Sequence, residues 1–413
     1  MIVEISKKCR ICKNHNLYEI INLGETTPAN NFYDVNESNH FDKYPLILDH
    51  CSDCNNVQLR HILDIDTLYS HYSYITPKSS ALTEHYDGLH AYLNNSFKDL
   101  KDKKVLEVGS NSGDLLYHLK DSVKQVLGVD PASNVVDIAN EKGIETICNF
   151  FSKEVARSIV NDMNFKADII LARHMFAHNP YPNNLLGGMK EIINQNKDSI
   201  ILIENAYVID TFLKGEFDQI YHEHMFYYSA SSIKYLLESE GLFLIDIFQS
   251  SIHGGSMVFV ASAHKKKMTT KLKKVLEDEN FYFNEGNILQ HFIHHSNEVR
   301  NQTINYLEKY ISEGKKIGVY GVPAKAFTML SYLTLDSKQL DFCIDTTPTK
   351  IGKIFPGVNL PILSEETLSE LEYDVIIICA WNYKKEILLK SKQIFKSGTK
   401  LIFPLPEFNV LEV

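Results

Sequence analysis

The run Val105-Leu106-Glu107-Val108-Gly109-Ser110-Asn111-Ser112-Gly113 constrains the fold of this chain more than any other stretch. An apolar strand feeds a polar loop bounded by Gly109 and Gly113, and a helical pattern follows over Asp114–Lys120. Glycines let the backbone pass close to a ligand, and a helix start favours its polar groups. The next strand ends in Asp130, where a carboxylate can accept hydrogen bonds from ribose hydroxyls, as in dinucleotide folds. The glycine spacing departs from GxGxxG, which favours a ligand without pyrophosphate over NAD.

Strand and helix patterns then alternate to about residue 260. The strands expected are Val105–Val108, Gln125–Val129, Ile169–Ala172, Ile200–Glu204 and Met257–Ala261. Such alternation predicts a mostly parallel sheet wrapped by helices. It restarts after residue 313 with strands Lys316–Tyr320, Phe342–Ile344, Val375–Ala380 and Lys400–Phe403 and a helix Ala324–Leu333. A polar helical connector over 264–312 separates the two units, and a helix over Ser79–Leu100 precedes the first. The connector's His291, His294 and His295 share a helix face, read as solvated. The expected organisation is 1–75, 76–263, 264–312 and 313–413.

A chain of 413 residues exceeds one ordinary core, so two or three domains are expected. Net charge is −10, from 42 basic and 52 acidic residues, which argues against broad nucleic-acid binding. No apolar run approaches the roughly 20 residues of a membrane span, so no membrane partner is expected. The start, MIVEISKKC, lacks the apolar core of a secretory leader, and the expected location is the cytoplasm.

Residues 1–75 are loop-rich and too poor in core to stand without a staple. They carry two CxxC pairs, Cys9/Cys12 and Cys51/Cys54. Each CxxC turn presents two sulfurs to one ion, and two turns supply all four ligands of a closed zinc site. The gap between the pairs exceeds the roughly 15–20 residues of a zinc ribbon. His15 and His50 lie near enough in sequence to substitute. The reading preferred is a structural zinc on the four cysteines. Cys148, Cys343 and Cys379 stand singly in apolar surroundings and read as buried thiols.

The densest chemistry lies in Phe217–Ser229, FDQIYHEHMFYYS, where Tyr221, His222, Glu223 and His224 are consecutive. Two imidazoles, a carboxylate and a phenol form an acid/base cluster that a core does not need, and imidazole suits general-base work near neutral pH. Downstream, His253-Gly254-Gly255 makes a polar turn with a further imidazole. In the last unit Gly321 ends a strand, and Ala324-Lys325 begin a helix whose amides favour phosphate. Lys325 adds a point charge there, and Lys353 is a second phosphate candidate.

The middle unit resembles the Rossmann-type S-adenosylmethionine-dependent methyltransferases. Glu107, Gly109 and Gly113 match their first motif, with Asn111 inside it. Asp130, followed by Pro131, matches the ribose acid. Asn149-Phe150-Phe151 matches an adenine-contacting segment, and Arg173 to His178 the cofactor and substrate contacts after the fourth strand. Where that motif often carries an acid before its second glycine, this chain has Ser112. Over nearly its whole length the chain is similar to the sugar C-methyltransferases that act on nucleotide-linked keto-deoxysugars. The four-cysteine module followed by Tyr72-Ser73-Tyr74 carries this resemblance, as do YHEH, IHGGS, the Gly321-Val322-Pro323-Ala324-Lys325 loop, Asp345-Thr346-Thr347-Pro348 and Ala380-Trp381-Asn382.

The resemblance implies an α/β protein: a Rossmann-type methyltransferase core, a small N-terminal zinc-binding module and a second, C-terminal Rossmann-like α/β domain. It implies S-adenosylmethionine as cofactor and a nucleotide-linked keto sugar as substrate. His224 is then the base that makes an enolate. Tyr221 and Glu223 polarise the ketone or orient the imidazole, and His222 is a lesser candidate better suited to a structural part. Tyr74 and Tyr72 touch the sugar, His253 and Gly254 close its pocket, and Gly321, Ala324, Lys325, Asp345 and Lys353 hold the nucleotide. O-methylation, an NAD-dependent sugar oxidoreductase built on Gly318–Gly321 and Asp345, and a non-enzymatic scaffold are the competing readings. The sequence leaves the oligomeric state open, a monomer included.

Overall fold

In the computed structural model, residues 2–35, 42–64, 68, 79–194, 196–250, 252 and 255–413 are described. Among them four sheets form. The largest two are the α/β units expected from the strand–helix alternation.

The first has seven strands in the spatial order Phe243–Ser250, Ser256–Ser262, Ile200–Ala206, Ile169–Arg173, Lys104–Val108, Gln125–Asp130, Thr146–Cys148. Its middle is parallel, and Ser256–Ser262 runs antiparallel to both neighbours. Val105, Leu106, Ile169, Ile170, Ile201 and Ile203 are fully buried, as an apolar run covered on both faces requires. Chain order reverses direction between Lys104–Val108 and Ile169–Arg173. In an open α/β sheet that switch leaves a crevice at the carboxyl ends of the strands. Two strands escaped the sequence reading. Thr146–Cys148 is short, and the alternation of Phe243–Ser250 is broken by a register shift between Leu244 and Asp246. Cys148 is exposed at this sheet's outer edge, which corrects its reading as a buried thiol, whereas Cys343 and Cys379 are buried.

The second sheet has eight strands ordered Asn409–Glu412, Lys400–Phe403, Val375–Ile378, Ile317–Tyr320, Phe342–Ile344, Leu360–Leu363, Lys353–Phe355, Tyr33–Asp34. Its last strand comes from the N-terminal region, pairing antiparallel with Lys353–Phe355. A four-stranded sheet, Phe226–Tyr227, Val57–Leu59, Tyr44–Cys51 and Leu17–Thr26, makes the reciprocal connection. There the first strand belongs to the middle unit and follows directly on YHEH. The cysteine-bearing module is therefore stitched by backbone pairing into both neighbours.

The connector forms two helices, Thr270–Asn284 and Ile288–Ser312. Its polarity conceals an anchor: Glu279 is fully buried and accepts from Tyr207 Oη at 2.7 Å, Ala230 N at 2.6 Å and Ser231 N at 2.7 Å. It thereby satisfies the first free amides of helix Ala230–Ser239. On the second helix, His291 and His295 donate to the carbonyls of Leu213 and Pro406 at 3.2 and 2.7 Å, and His294 stays exposed near Glu298. That helix face is thus partly packed against the carbonyls of Leu213 and Pro406 rather than solvated. No described helix is long and apolar enough to cross a membrane.

Candidate active site

The four cysteines converge. All four sulfurs lie within 4.8 Å of one another, with Cys9–Cys54 at 3.6 Å and Cys12–Cys51 at 3.5 Å. Zn–S bonds of about 2.3 Å put tetrahedral sulfurs roughly 3.8 Å apart, so the cluster has the size of a zinc site. Bonds from Cys51 and Cys54 hold the Cys9 thiol well below its ordinary pKa, while Cys51 and Cys54 lie above theirs. His15 and His50 stay outside, bound to Lys7 O and Asn55 Oδ1.

The glycine loop lies at the sheet's switch point. Gly109, Asn111 and Gly113 have φ of 72°, 48° and 71°. Gly109 N donates to Val129 O at 2.8 Å, while the Asp130 carboxylate accepts from Asn111 N at 2.9 Å and Ala132 N at 3.0 Å. Three features fit a bound nucleoside. Asp130 keeps lone pairs for hydroxyls, one oxygen of the buried Glu107 carboxylate has no hydrogen-bond partner, and Phe150 leaves 48% of its surface exposed beside Asn149. Pro131 is exposed next to Asp130. Arg173 is placed differently from expectation. Its guanidinium donates twice to Glu107 Oε1, at 2.9 and 2.7 Å, beside the Tyr86 ring, so it reaches the crevice through Glu107.

YHEH divides into two directions. The His224 Nδ1–H donates to Gln219 O at 3.1 Å, because a carbonyl only accepts. That fixes the neutral tautomer and leaves Nε2 with a lone pair, to which Tyr221 Oη donates at 2.8 Å. His178 packs edge-on to this imidazole with ring centroids 5.0 Å apart. Burial, reinforced by His174, lowers His224 to about 4, so it is neutral and able to accept a proton near pH 7. Glu223 turns toward the N-terminal module and accepts from Asn30 Nδ2 at 3.2 Å, and burial pushes it up to about 7. His222 is corrected to a structural residue: it is buried and donates to Pro45 O at 3.3 Å, away from the Tyr221–His224 pair.

The C-terminal unit repeats the hydrogen-bond pattern of the first loop. Gly321, with φ of 82°, donates to Ile344 O at 2.9 Å. Asp345 accepts from Val322 N at 2.7 Å and Thr347 N at 2.8 Å. Two expectations are corrected here. Lys353 pairs in register with Asp34 in a strand, and Lys350 is the lysine at the loop, donating to Val322 O at 2.9 Å. Lys325, beside Ala324 at the helix start, is buried rather than presented to a ligand. Its ammonium lies 4.0 Å from Asp218 Oδ2 and 3.7 Å from the Trp381 ring centroid.

The sequence reading missed a further cluster, in which Glu204 is bonded by His85 at 3.0 Å and His85 by Ser250 at 3.0 Å. These residues are far apart in sequence, so no local signal could join them. Tyr72, Tyr74, His253 and Gly254 lie outside the described residues.

The chain matches three family models: "Putative zinc binding domain" over 9–69, "Methyltransferase domain" over 83–247 and "C-methyltransferase C-terminal domain" over 251–406. It is 30% identical to C-methyltransferase NovU of Streptomyces niveus, across 99% of this chain and 98% of that one. Among solved structures it is similar to the magnesium protoporphyrin IX methyltransferase of Synechocystis PCC 6803, at 14% identity and a TM-score of 0.36, covering 48% of this chain and 97% of that one. A second is N-methyltransferase NodS of Bradyrhizobium japonicum, at 12% identity and a TM-score of 0.34, covering 45% and 97%.

Proposed function

This chain belongs to the S-adenosylmethionine-dependent C-methyltransferase family, and we propose that within it the protein methylates the carbon next to the ketone of a nucleotide-linked keto-deoxysugar. Membership replaces the oxidoreductase, scaffold and O-methylation readings. The observation that carries the proposal is the Tyr221–His224 pair, a phenol on the free lone pair of an imidazole whose tautomer is fixed.

When bound, S-adenosylmethionine would supply an electrophilic methyl group, its sulfur keeping the electron pair of the broken C–S bond. Gly109, Asn111, Gly113, Asp130 and Asn149-Phe150 are the residues that would hold it, with Glu107 and Arg173 behind the loop. A ketone acidifies the neighbouring C–H. His224 Nε2 takes that proton, and the electron pair left on carbon becomes the enolate that accepts the methyl group. Nε2 is open to that proton once Tyr221 has turned its hydroxyl from Nε2 to the ketone oxygen, where negative charge develops. Glu223 faces Asn30 and keeps its proton below about pH 7, so it ties the turn to the N-terminal module and leaves the ketone oxygen to Tyr221. Gly321, Asp345, Lys350 and the helix start at Ala324 take the nucleotide, and Tyr72, Tyr74, His253 and Gly254 complete the sugar pocket.

The test is proton NMR of a dTDP-4-keto-6-deoxy sugar in D2O with the protein, before and after cofactor is added. The proposal expects loss of the proton beside the ketone, then a new carbon-bound methyl signal. His224→Ala abolishes both. Cofactor binding by calorimetry with neither signal on a panel of keto sugars overturns the substrate assignment. Exchange surviving in His224→Ala removes that residue as base.

A further inference from the structure

Three consecutive residues ahead of the base are held in alternation. Asp218 is fully buried, and its Oδ2 accepts the Trp381 indole N–H at 2.6 Å, with the Lys325 ammonium 4.0 Å away. The Gln219 carbonyl accepts from His224 Nδ1 at 3.1 Å and from Tyr227 Oη at 3.2 Å. The Ile220 carbonyl accepts from Thr328 Oγ1 at 2.5 Å. The groups on both sides of Gln219 are therefore gripped by the C-terminal unit, and the carbonyl between them aims the imidazole. Lys325 and Thr328 are three apart on helix Ala324–Tyr332 and so share a face. Trp381 sits just past strand Val375–Ile378.

A buried carboxylate stripped of its partners is costly, so the Asp218 anchor resists rotation of this turn. If the turn rotates, the Gln219 carbonyl leaves Nδ1. The neutral ring can then move its proton to Nε2, where it can no longer accept one from substrate.

Resting on the assignment of His224 as the base, we infer that Asp218, Trp381 and Thr328 are positioning residues through which the C-terminal domain fixes the tautomer of the catalytic imidazole. Lys325 belongs to this device as the counter-ion of Asp218, not as a ligand for phosphate. The C-terminal domain thus acts on the chemistry of the middle domain without touching the reacting carbon.

The experiment is two-bond 1H–15N imidazole NMR of the intact, zinc-loaded protein above pH 7, with His224 assigned by comparison with His224→Asn. The wild type is expected to show a single Nδ1–H tautomer at His224. Thr328→Val and Trp381→Phe are expected to give a mixture. The rate of C–H exchange on the keto sugar falls with it by about tenfold to a hundredfold, with KM held. Thr328→Ser, which keeps the hydroxyl, restores both. An unchanged tautomer in folded Thr328→Val overturns the inference, and that variant decides the matter should Trp381→Phe fail to fold. Tautomer loss with exchange at the wild-type rate sustains the positioning and overturns His224 as the base.

Discussion

Glu223 and His224 are adjacent, and burial moves their protons in opposite senses. The carboxyl rises to about 7 and the imidazole falls to about 4, so near neutral pH the acid keeps its proton and the base lacks one. For Glu223 this has a sign for stability. A carboxyl raised on folding favours the fold below its unfolded pKa, and that contribution is lost as pH rises through about 7. The Glu223 share of stability falls between roughly pH 4.5 and 7, by about 1.4 kcal/mol for each pH unit crossed, while His222 and His224, both lowered to about 4 by burial, add stability as pH rises from about 4 to 6.5. Glu223→Gln removes this share alone, so chemical denaturation should show the variant gaining stability relative to the wild type on going from pH 5 to pH 8. Glu216, also raised to about 7 by burial and Asp218, leaves a residual slope in both proteins. The residue types of this cluster were legible in sequence. Their directions were not, because His222 and His224 are chemically identical until Pro45 and Gln219 supply their carbonyls.

Two elements repeat one device: a strand, a glycine with positive φ, and an aspartate from the next strand that ties the loop. Gly109 and Gly321 serve this role at the two switch points. At Gly109 an added Cβ would meet Met175 Cγ at 2.7 Å and Cβ at 2.8 Å, in the turn that carries His178. Gly109→Ala therefore costs about 1–2 kcal/mol for the left-handed backbone and also displaces that turn. The expected outcome is a lower melting temperature with cofactor affinity reduced at least tenfold, measured by calorimetry. The repetition was visible in sequence as organisation, since Gly109–Asp130 and Gly321–Asp345 carry the same residue types in the same order. Lys353 misled because a lysine three residues from a loop can point anywhere. The turn that bonds Lys350 N to Thr347 O decides which lysine returns to Asp345.

At the scale of the molecule, the zinc module is joined through sheets to both other units, and Asn30 reaches Glu223 from it. The four cysteines belong to the N-terminal module and the Tyr221–His224 pair to the middle unit, yet loss of zinc should be felt at the pair. Phe226 and Tyr227, two and three residues past His224, pair with Gln58 and Val57 beside the cysteine cluster. Chelation is expected to lower methyl transfer by more than tenfold while cofactor binding to the middle unit persists, with zinc content and activity followed together. Sequence by itself determined the alternating strands, the glycine loops with their aspartates and the four thiols, because each is a local pattern of burial period, backbone freedom or ligand type. Only tertiary structure decided that Lys325 is a counter-ion, that Glu223 faces Asn30, that Arg173 acts through Glu107, and that the C-terminal unit grips the turn before the base. Those outcomes depend on desolvation and on partners more than sixty residues away, and no window along the chain contains them.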